Sequence, residues 1–297
     1  MIAQSRWILG GVQLGLDYGI VNRTGKPSRD SARRILAEAV AGGASHVDTA
    51  RAYGDSEEAI GAAAGGSPIP RVITKIAPLT SDAEAATDAA ASLDASRAAL
   101  ASTQLDAVLV HRAADWWRPG VRDVLRQARE TGLAAVGASL AAPDELLPLL
   151  EDPLLGYVQF PFNLVDRRWL AKPVLAALER RPDVTVTVRS VFLQGLLAGG
   201  AASDWPDPAE GAQHVPAIEA LVSELGRSNR ADLCVAYALG HGFVTSVVLG
   251  AETPEQVQQN AALARNPPLT ADELALVGER LPAGSAGLVD PSTWRKS

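Results

Sequence analysis

Cysteine is nearly absent: Cys234 stands alone in 297 residues. That excludes an internal disulfide and a cysteine-built zinc cluster, and its place in the apolar run DLCVAYALG marks a core filler. Histidine is scarce too, with four copies scattered along the chain. A metal-dependent barrel hydrolase or isomerase gathers several histidines and carboxylates at strand ends, so no metal is expected. Positive charge is in deficit, with a formal net charge of −7 and a pI near 5.2. This balance favours solubility and leaves no basic track for nucleic acid or an anionic membrane. No window approaches the roughly 20 apolar residues of a membrane span. The N-terminal MIAQSRWILGG has a brief apolar run broken by glycines and lacks the hydrophobic region of a secretion signal. A soluble cytoplasmic protein is expected, with its oligomeric state unspecified.

What the chain does contain is a repeated alternation. Brief β-branched runs at 7–12, 45–49, 72–76, 107–111, 134–138, 157–160, 185–190 and 246–250 read as strands. Between them lie longer alanine- and leucine-rich amphipathic runs such as SRDSARRILAEAVAGG and RPGVRDVLRQARETG. Several carry Ser, Asp or Pro near the start and Gly or Asn near the end, as helices do. An open doubly wound sheet would show a phosphate-binding glycine turn after its first strand, and none stands there. The expectation is an α/β protein, a single (β/α)8 TIM barrel over residues 1–297. The Gly-, Ala-, Asp- and Pro-rich stretch 197–216 reads as a long loop and a candidate lid. The similar stretch 282–297, with Trp294 as its one large anchor, either folds over the barrel or frays.

Three of the strand ends carry chemistry. HVDTARAYGDSE places Asp48 at one strand end and Tyr53 just beyond it, VITK ends at Lys75, and VLVH ends at His111. Parallel strands in one barrel deliver these groups to a single rim. A tyrosine phenol, with a reference pKa of about 10, needs a nearby positive charge to serve as an acid or base. Lys75 supplies the charge and Asp48 balances it. His111 then polarises or orients a carbonyl. Ser56 and Glu57 read as cap and charge for the next helix. His46, two residues before Asp48, shares its face of the strand, so spacing alone leaves packing and catalysis both open to it.

The segments DTARAYGDSE, VITK, VLVH, VGAS, VQFPFN and VVLGAETPEQVQQN, in this order, resemble the signature segments of the aldo-keto reductase superfamily, in a bacterial branch. The resemblance runs from the first strand to about Asn260. It implies a barrel that binds an extended nicotinamide cofactor, NADP(H) by family habit with NAD(H) possible. The reaction implied is hydride transfer between a carbonyl (aldehyde, ketone or sugar) and an alcohol. It also implies four catalytic residues, Asp48, Tyr53, Lys75 and His111, with Tyr53 as general acid.

For the cofactor, the resemblance assigns Ser139 and Gln159 to the nicotinamide carboxamide. Leu140 replaces the Asn that often follows that serine. Arg189, before Ser190, stands where several members stack a tyrosine, and either packs on the ring or reaches a phosphate. Leu193, Gln194 and Gly195 match the loop along the pyrophosphate, where backbone amides do the binding. Gly250, Glu252, Thr253, Gln256, Gln259 and Asn260 match the adenosine loop. Glu252 has no cation beside it in sequence, and an acid there repels a 2′-phosphate. For substrate, Asp17 and Tyr18 offer polar contacts, and Trp116, Trp117 and Trp205 form an aromatic wall or else plug loops. The LGLDYGIVN and GKPS phrasing resembles a bacterial subgroup associated with sugar metabolism. A different class of function, a cofactor-binding regulatory module with little turnover, fits the same residues.

Overall fold

The computed structural model describes residues 2–20, 22, 24–101 and 105–294. Its eight strands are β1 (Trp7–Gly10), β2 (His46–Asp48), β3 (Arg71–Ile76), β4 (Leu105–Val110), β5 (Ala135–Ser139), β6 (Tyr157–Pro161), β7 (Thr185–Arg189) and β8 (Ser246–Gly250). All neighbours pair in parallel and in chain order, and β1 pairs with both β2 and β8, which closes the barrel. The strands coincide with the eight β-branched runs. The first is shorter than expected because the chain turns at Gly11 into a short helix, Val12–Gly15, where the Gly11 amide bonds the Asp48 carbonyl at 2.7 Å.

Alternation along each strand sorts the side chains into two shells. Leu9, Val47, Val72, Val108, Val136, Val158, Val186 and Val247 face outward and join the helices in one continuous apolar core. Ile8, Ile73, Ala107, Leu109, Ala135 and Tyr157 make a separate cluster, which Ile2 joins. The same alternation carries Asp48, Lys75, Ser139 and Gln159 to the inner face at the carboxyl ends of their strands. No helix among the described residues is long and apolar enough to cross a membrane.

The stretch 197–216 departs from its expected form. It is irregular only to Asp207, whose side chain accepts from the Ala209 amide and caps the helix Pro208–Glu224. Pro216 lies inside that helix and interrupts its hydrogen-bond ladder. Burial of His214, Ile218 and Leu221 along one face offsets that cost, so tertiary packing overrides the local signal. Within the C-terminal stretch, the segment from Leu281 to Trp294 docks against the barrel. The Gly284 amide bonds the Val165 carbonyl at 3.0 Å, Ser285 bonds Glu210, and Leu288 and Val289 are buried. The last residues of this stretch, 295–297, lie outside the described part.

Candidate active site

Lys75 is almost completely buried, and its ammonium spends all three donors. Nζ lies 2.7 and 2.8 Å from the two Asp48 oxygens and 3.0 Å from the Thr49 carbonyl. Gln159 Nε2 donates to Asp48 Oδ1 at 2.9 Å from across the barrel. A buried ion pair of this kind persists only when such extra hydrogen bonds complete it. Lys75 is therefore held in one position beside the Asp48 carboxylate.

Tyr53 reaches this charge because the loop 49–58 is held on several sides. The Ser56 hydroxyl donates to the Gly11 carbonyl at 2.7 Å and meets Thr49 Oγ1 at 2.8 Å. Buried Glu57 takes Arg51 at 2.6 Å and the Thr74 hydroxyl. Ser56 is the first residue of the helix Ser56–Ala64 and not its cap, while Glu57 does stand as an acid in its first turn. Both bind the loop to the barrel. A Cβ on Gly15 would collide with the Tyr53 carbonyl, so glycine is what lets the β1 turn pack against this loop. The Tyr53 ring centre then sits 5.0 Å from Lys75 Nζ, and the ring meets His111 edge-on at 5.7 Å between centres.

His111 follows β4 directly. Its pKa is pushed down to about 4, first by burial, then by the charges of Lys75, Arg189 and Arg112, with Asp115 opposing. The imidazole is neutral at ordinary pH, and its buried Nδ1 has no partner among the described residues. The structure thus brings together all four residues expected at the rim. A cation, a phenol and a neutral imidazole gathered at one end of the barrel can stabilise charge on an oxygen and pass it a proton.

The cofactor candidates lie on the same rim. Ser139 and Gln159 are register partners on β5 and β6. Gln159 Oε1 is buried and unpartnered, and this matches the N–H of a nicotinamide carboxamide. Leu140 is buried and brings no amide side chain. After β7, Ser190, Leu193 and Gln194 adopt φ of 57°, 46° and 54°, and Gly195 follows at 94°. Left-handed backbone at non-glycine residues is costly and uncommon. The amides of Leu193 and Gly195 are spent on turns to Ser190 and Phe192, whereas that of Gln194 has no backbone acceptor among the described residues.

At the end of β8 the side chains mostly serve the loop itself. Asn260 bonds the Gly250 carbonyl at 3.0 Å, and Gln256 accepts from the Glu252 amide at 2.7 Å. Thr253 caps the helix Pro254–Arg265, and Gln259 is exposed on it. Glu252 accepts from Thr24 at 2.8 Å and makes no ion pair among the described residues. Sequence reasoning missed Gln13, whose amide packs against Gly250 and keeps a buried, unpartnered Oε1. Its one signal was its position just past the first strand.

Residues 6–280 match the Aldo/keto reductase family. The chain belongs to this family. It is an NAD(P)-dependent oxidoreductase that interconverts carbonyls and alcohols. Its fold is similar to that of the aldo-keto reductase AKR11C1 from Bacillus halodurans in its holo form. That likeness has a TM-score of 0.76 at 20% identity and covers 97% of this chain and 96% of that one. It is also similar to the glycerol dehydrogenase AKR11B4 from Gluconobacter oxydans, with a TM-score of 0.72 at 20% identity over 97% and 94% of the two chains. A comparison with curated proteins finds no match.

The substrate side of this reductase corrects part of the sequence reading. The aromatic wall does not form. Trp116 is fully buried with its indole N–H on Asp152 at 3.0 Å. Trp205 is buried and stacked on His214 at 5.3 Å. Trp117 is 47% exposed but lies under Arg122, on the helix Val121–Glu130. Large indoles gain more from burial than from a solvent-facing wall. Asp17 and Tyr18 sit on the loop after the Val12–Gly15 helix, both exposed. The Tyr18 phenol pKa is raised, first by desolvation, with Arg189 opposing and Tyr53 reinforcing.

Proposed function

We propose that this reductase acts on a small aldehyde, ketone or sugar and that Tyr53 delivers the proton to the carbonyl oxygen. The observation that carries the reading is the Tyr53 ring placed between the Lys75 ammonium and a neutral His111 with an unused nitrogen. His111 holds the carbonyl oxygen by a hydrogen bond without adding a competing charge. As the oxygen gains negative charge, Tyr53 gives up its proton, and Lys75 stabilises the phenolate left behind. Asp48 and Gln159 keep Lys75 from turning away.

Bound nicotinamide supplies the hydride. Ser139 and Gln159 hold its carboxamide, the loop with Gln194 and Gly195 follows the pyrophosphate, and the β8 loop with Glu252 and Thr253 receives the adenosine. The family habit favours NADP(H), while the carboxylate of Glu252, which has no cation partner among the described residues, opposes a 2′-phosphate. The two influences pull in opposite directions at this one residue.

The test is reductive turnover across an aldehyde, ketone and sugar panel by the wild-type protein and by Tyr53→Phe. The variant keeps its ring packing and binds cofactor, but turnover falls by about 10²- to 10⁴-fold. Unchanged turnover would remove Tyr53 from the reaction.

A further inference from the structure

Arg230 is the first residue of the helix Arg230–Gly240, where a cation opposes the helix dipole, and its side chain is buried. The helix gains nothing from it. What it serves is the loop after β7. Nε donates to the Leu197 carbonyl at 3.0 Å, and Nη2 donates to the Gly200 carbonyl at 2.9 Å and to the Leu196 carbonyl. Its one carboxylate among the described residues, the exposed Glu219, stands 3.6 Å away. The planar fork of a guanidinium fixes several acceptors at once, so Arg230 clamps the end of this loop.

The loop needs holding. Ser190, Leu193 and Gln194 have left-handed backbone, which persists only where the surroundings over-determine it. At the start of the loop, buried Asn163 donates from Nδ2 to the Ser190 carbonyl at 3.1 Å. Arg230 holds the far end. Between these anchors the amides of Leu193, Gly195, Leu196 and Leu197 are spent on turns inside the loop. Those of Val191, Phe192 and Gln194 have no backbone acceptor among the described residues. Unspent amides in a left-handed turn suit an anion, and the carbonyls that would repel one are engaged by Arg230.

Building on the reading that this loop follows the pyrophosphate, we infer that Arg230 is a positioning residue for the cofactor. Its guanidinium presets, from outside the site, the loop conformation that receives the pyrophosphate. Loss of Arg230 weakens cofactor binding and leaves the reacting centre at Tyr53 intact.

Binding and loop order are read separately. In Arg230→Ala the Kd of NADPH or NADH, whichever the wild type binds tighter, rises by about tenfold or more in fluorescence titration. Turnover at saturating cofactor stays within about threefold, a split between KM and kcat that general damage does not produce. ADP-ribose, which has a pyrophosphate, follows the intact cofactor, while adenosine 5′-monophosphate, which lacks one, binds both proteins equally. Hydrogen exchange of the 190–200 amides in the cofactor-free protein is faster in the variant, with the strands of the barrel unchanged. If Arg230→Ala does not fold, Arg230→Lys carries the same test with a smaller loss, since one ammonium cannot span three carbonyls. An unchanged Kd overturns the inference, and so does an equal loss for ADP-ribose and adenosine 5′-monophosphate or a fall in kcat alone. Cofactor that leaves exchange of 190–200 unaltered in the wild type refutes the loop's place on the pyrophosphate, and the inference with it. A loop that cofactor protects, with a Kd that Arg230→Ala does not change, refutes the inference alone.

Discussion

His46, buried, and His111, half-buried, are barrel histidines beside acids and cations, and in both the pKa is lowered first by desolvation. They stand at opposite ends of the barrel. His46 Nε2 meets Asp106 Oδ2 at 2.9 Å and Nδ1 meets Ser45 Oγ at 2.8 Å, while Arg71 takes the other Asp106 oxygen at 2.6 Å. The pairing shift that sets Val72 against Leu105 and Ile73 against Ala107 leaves Asp106 as the extra residue, free to turn toward His46. Every nitrogen of His46 is spent. At the carboxyl ends of the strands, His111 Nδ1 and Gln159 Oε1 are buried without partners. The same residue types make a closed structural network at one end and an unfinished one at the other. Unspent hydrogen-bonding capacity at Tyr53's end of the barrel fits the proposed reacting centre, and residue spacing alone does not reveal it.

The comparison can be broken most forcefully at Lys75. Lys75→Met leaves the Asp48 carboxylate buried with Gln159 as its one remaining polar partner, so it costs about 3 to 5 kcal/mol of stability and abolishes turnover. Urea unfolding measures the first effect, and adding Asp48→Asn to the variant should recover part of it. If the single variant is as stable as the wild type, the pair is not the buried anchor described here.

A smaller effect is expected at the adenosine end. Glu252→Lys removes the repulsion and adds an attraction, so binding of NADPH relative to NADH improves by about tenfold or about 1.4 kcal/mol. Fluorescence titration with both cofactors reads the ratio. An unchanged ratio would mean that the carboxylate bound to Thr24 does not face the 2′ position.

A further effect is on pH dependence. The pKa values of His111 and His241 are pushed from 6.5 to about 4, chiefly by burial. Between these values the unfolded chain takes up protons that the folded protein refuses, so stability is lost as pH falls from 6.5 toward 4. Thermal unfolding across that range should show the decline, with a shallower slope in His111→Gln. An identical slope would mean that His111 does not resist protonation.

Much of this was legible in the chain. Short β-branched runs alternating with longer helical ones identify the barrel, because a strand covered on its outer face has little choice of residue. Asp48, Lys75 and His111 were legible because each sits at or just beyond a strand end. Other features depended on side-chain direction or tertiary burial, which no local pattern records. Trp116 and Trp117 are adjacent in sequence, yet one is sealed on Asp152 and the other exposed under Arg122. Pro216 reads as a loop residue, but the helix around it is kept by its buried face. The reach of Arg189 across β6 to Leu140 depends on the path of a long side chain over a neighbouring strand.

The claim that the unfinished end is the reactive one is tested most directly by assaying His46→Gln and His111→Gln side by side. Turnover should fall at least 100-fold in His111→Gln with little loss of stability. His46→Gln should keep turnover within about twofold while losing about 1 to 3 kcal/mol of stability, the cost of leaving its partners unsatisfied. The reverse pattern, with His46 needed for turnover and His111 dispensable, would contradict the account.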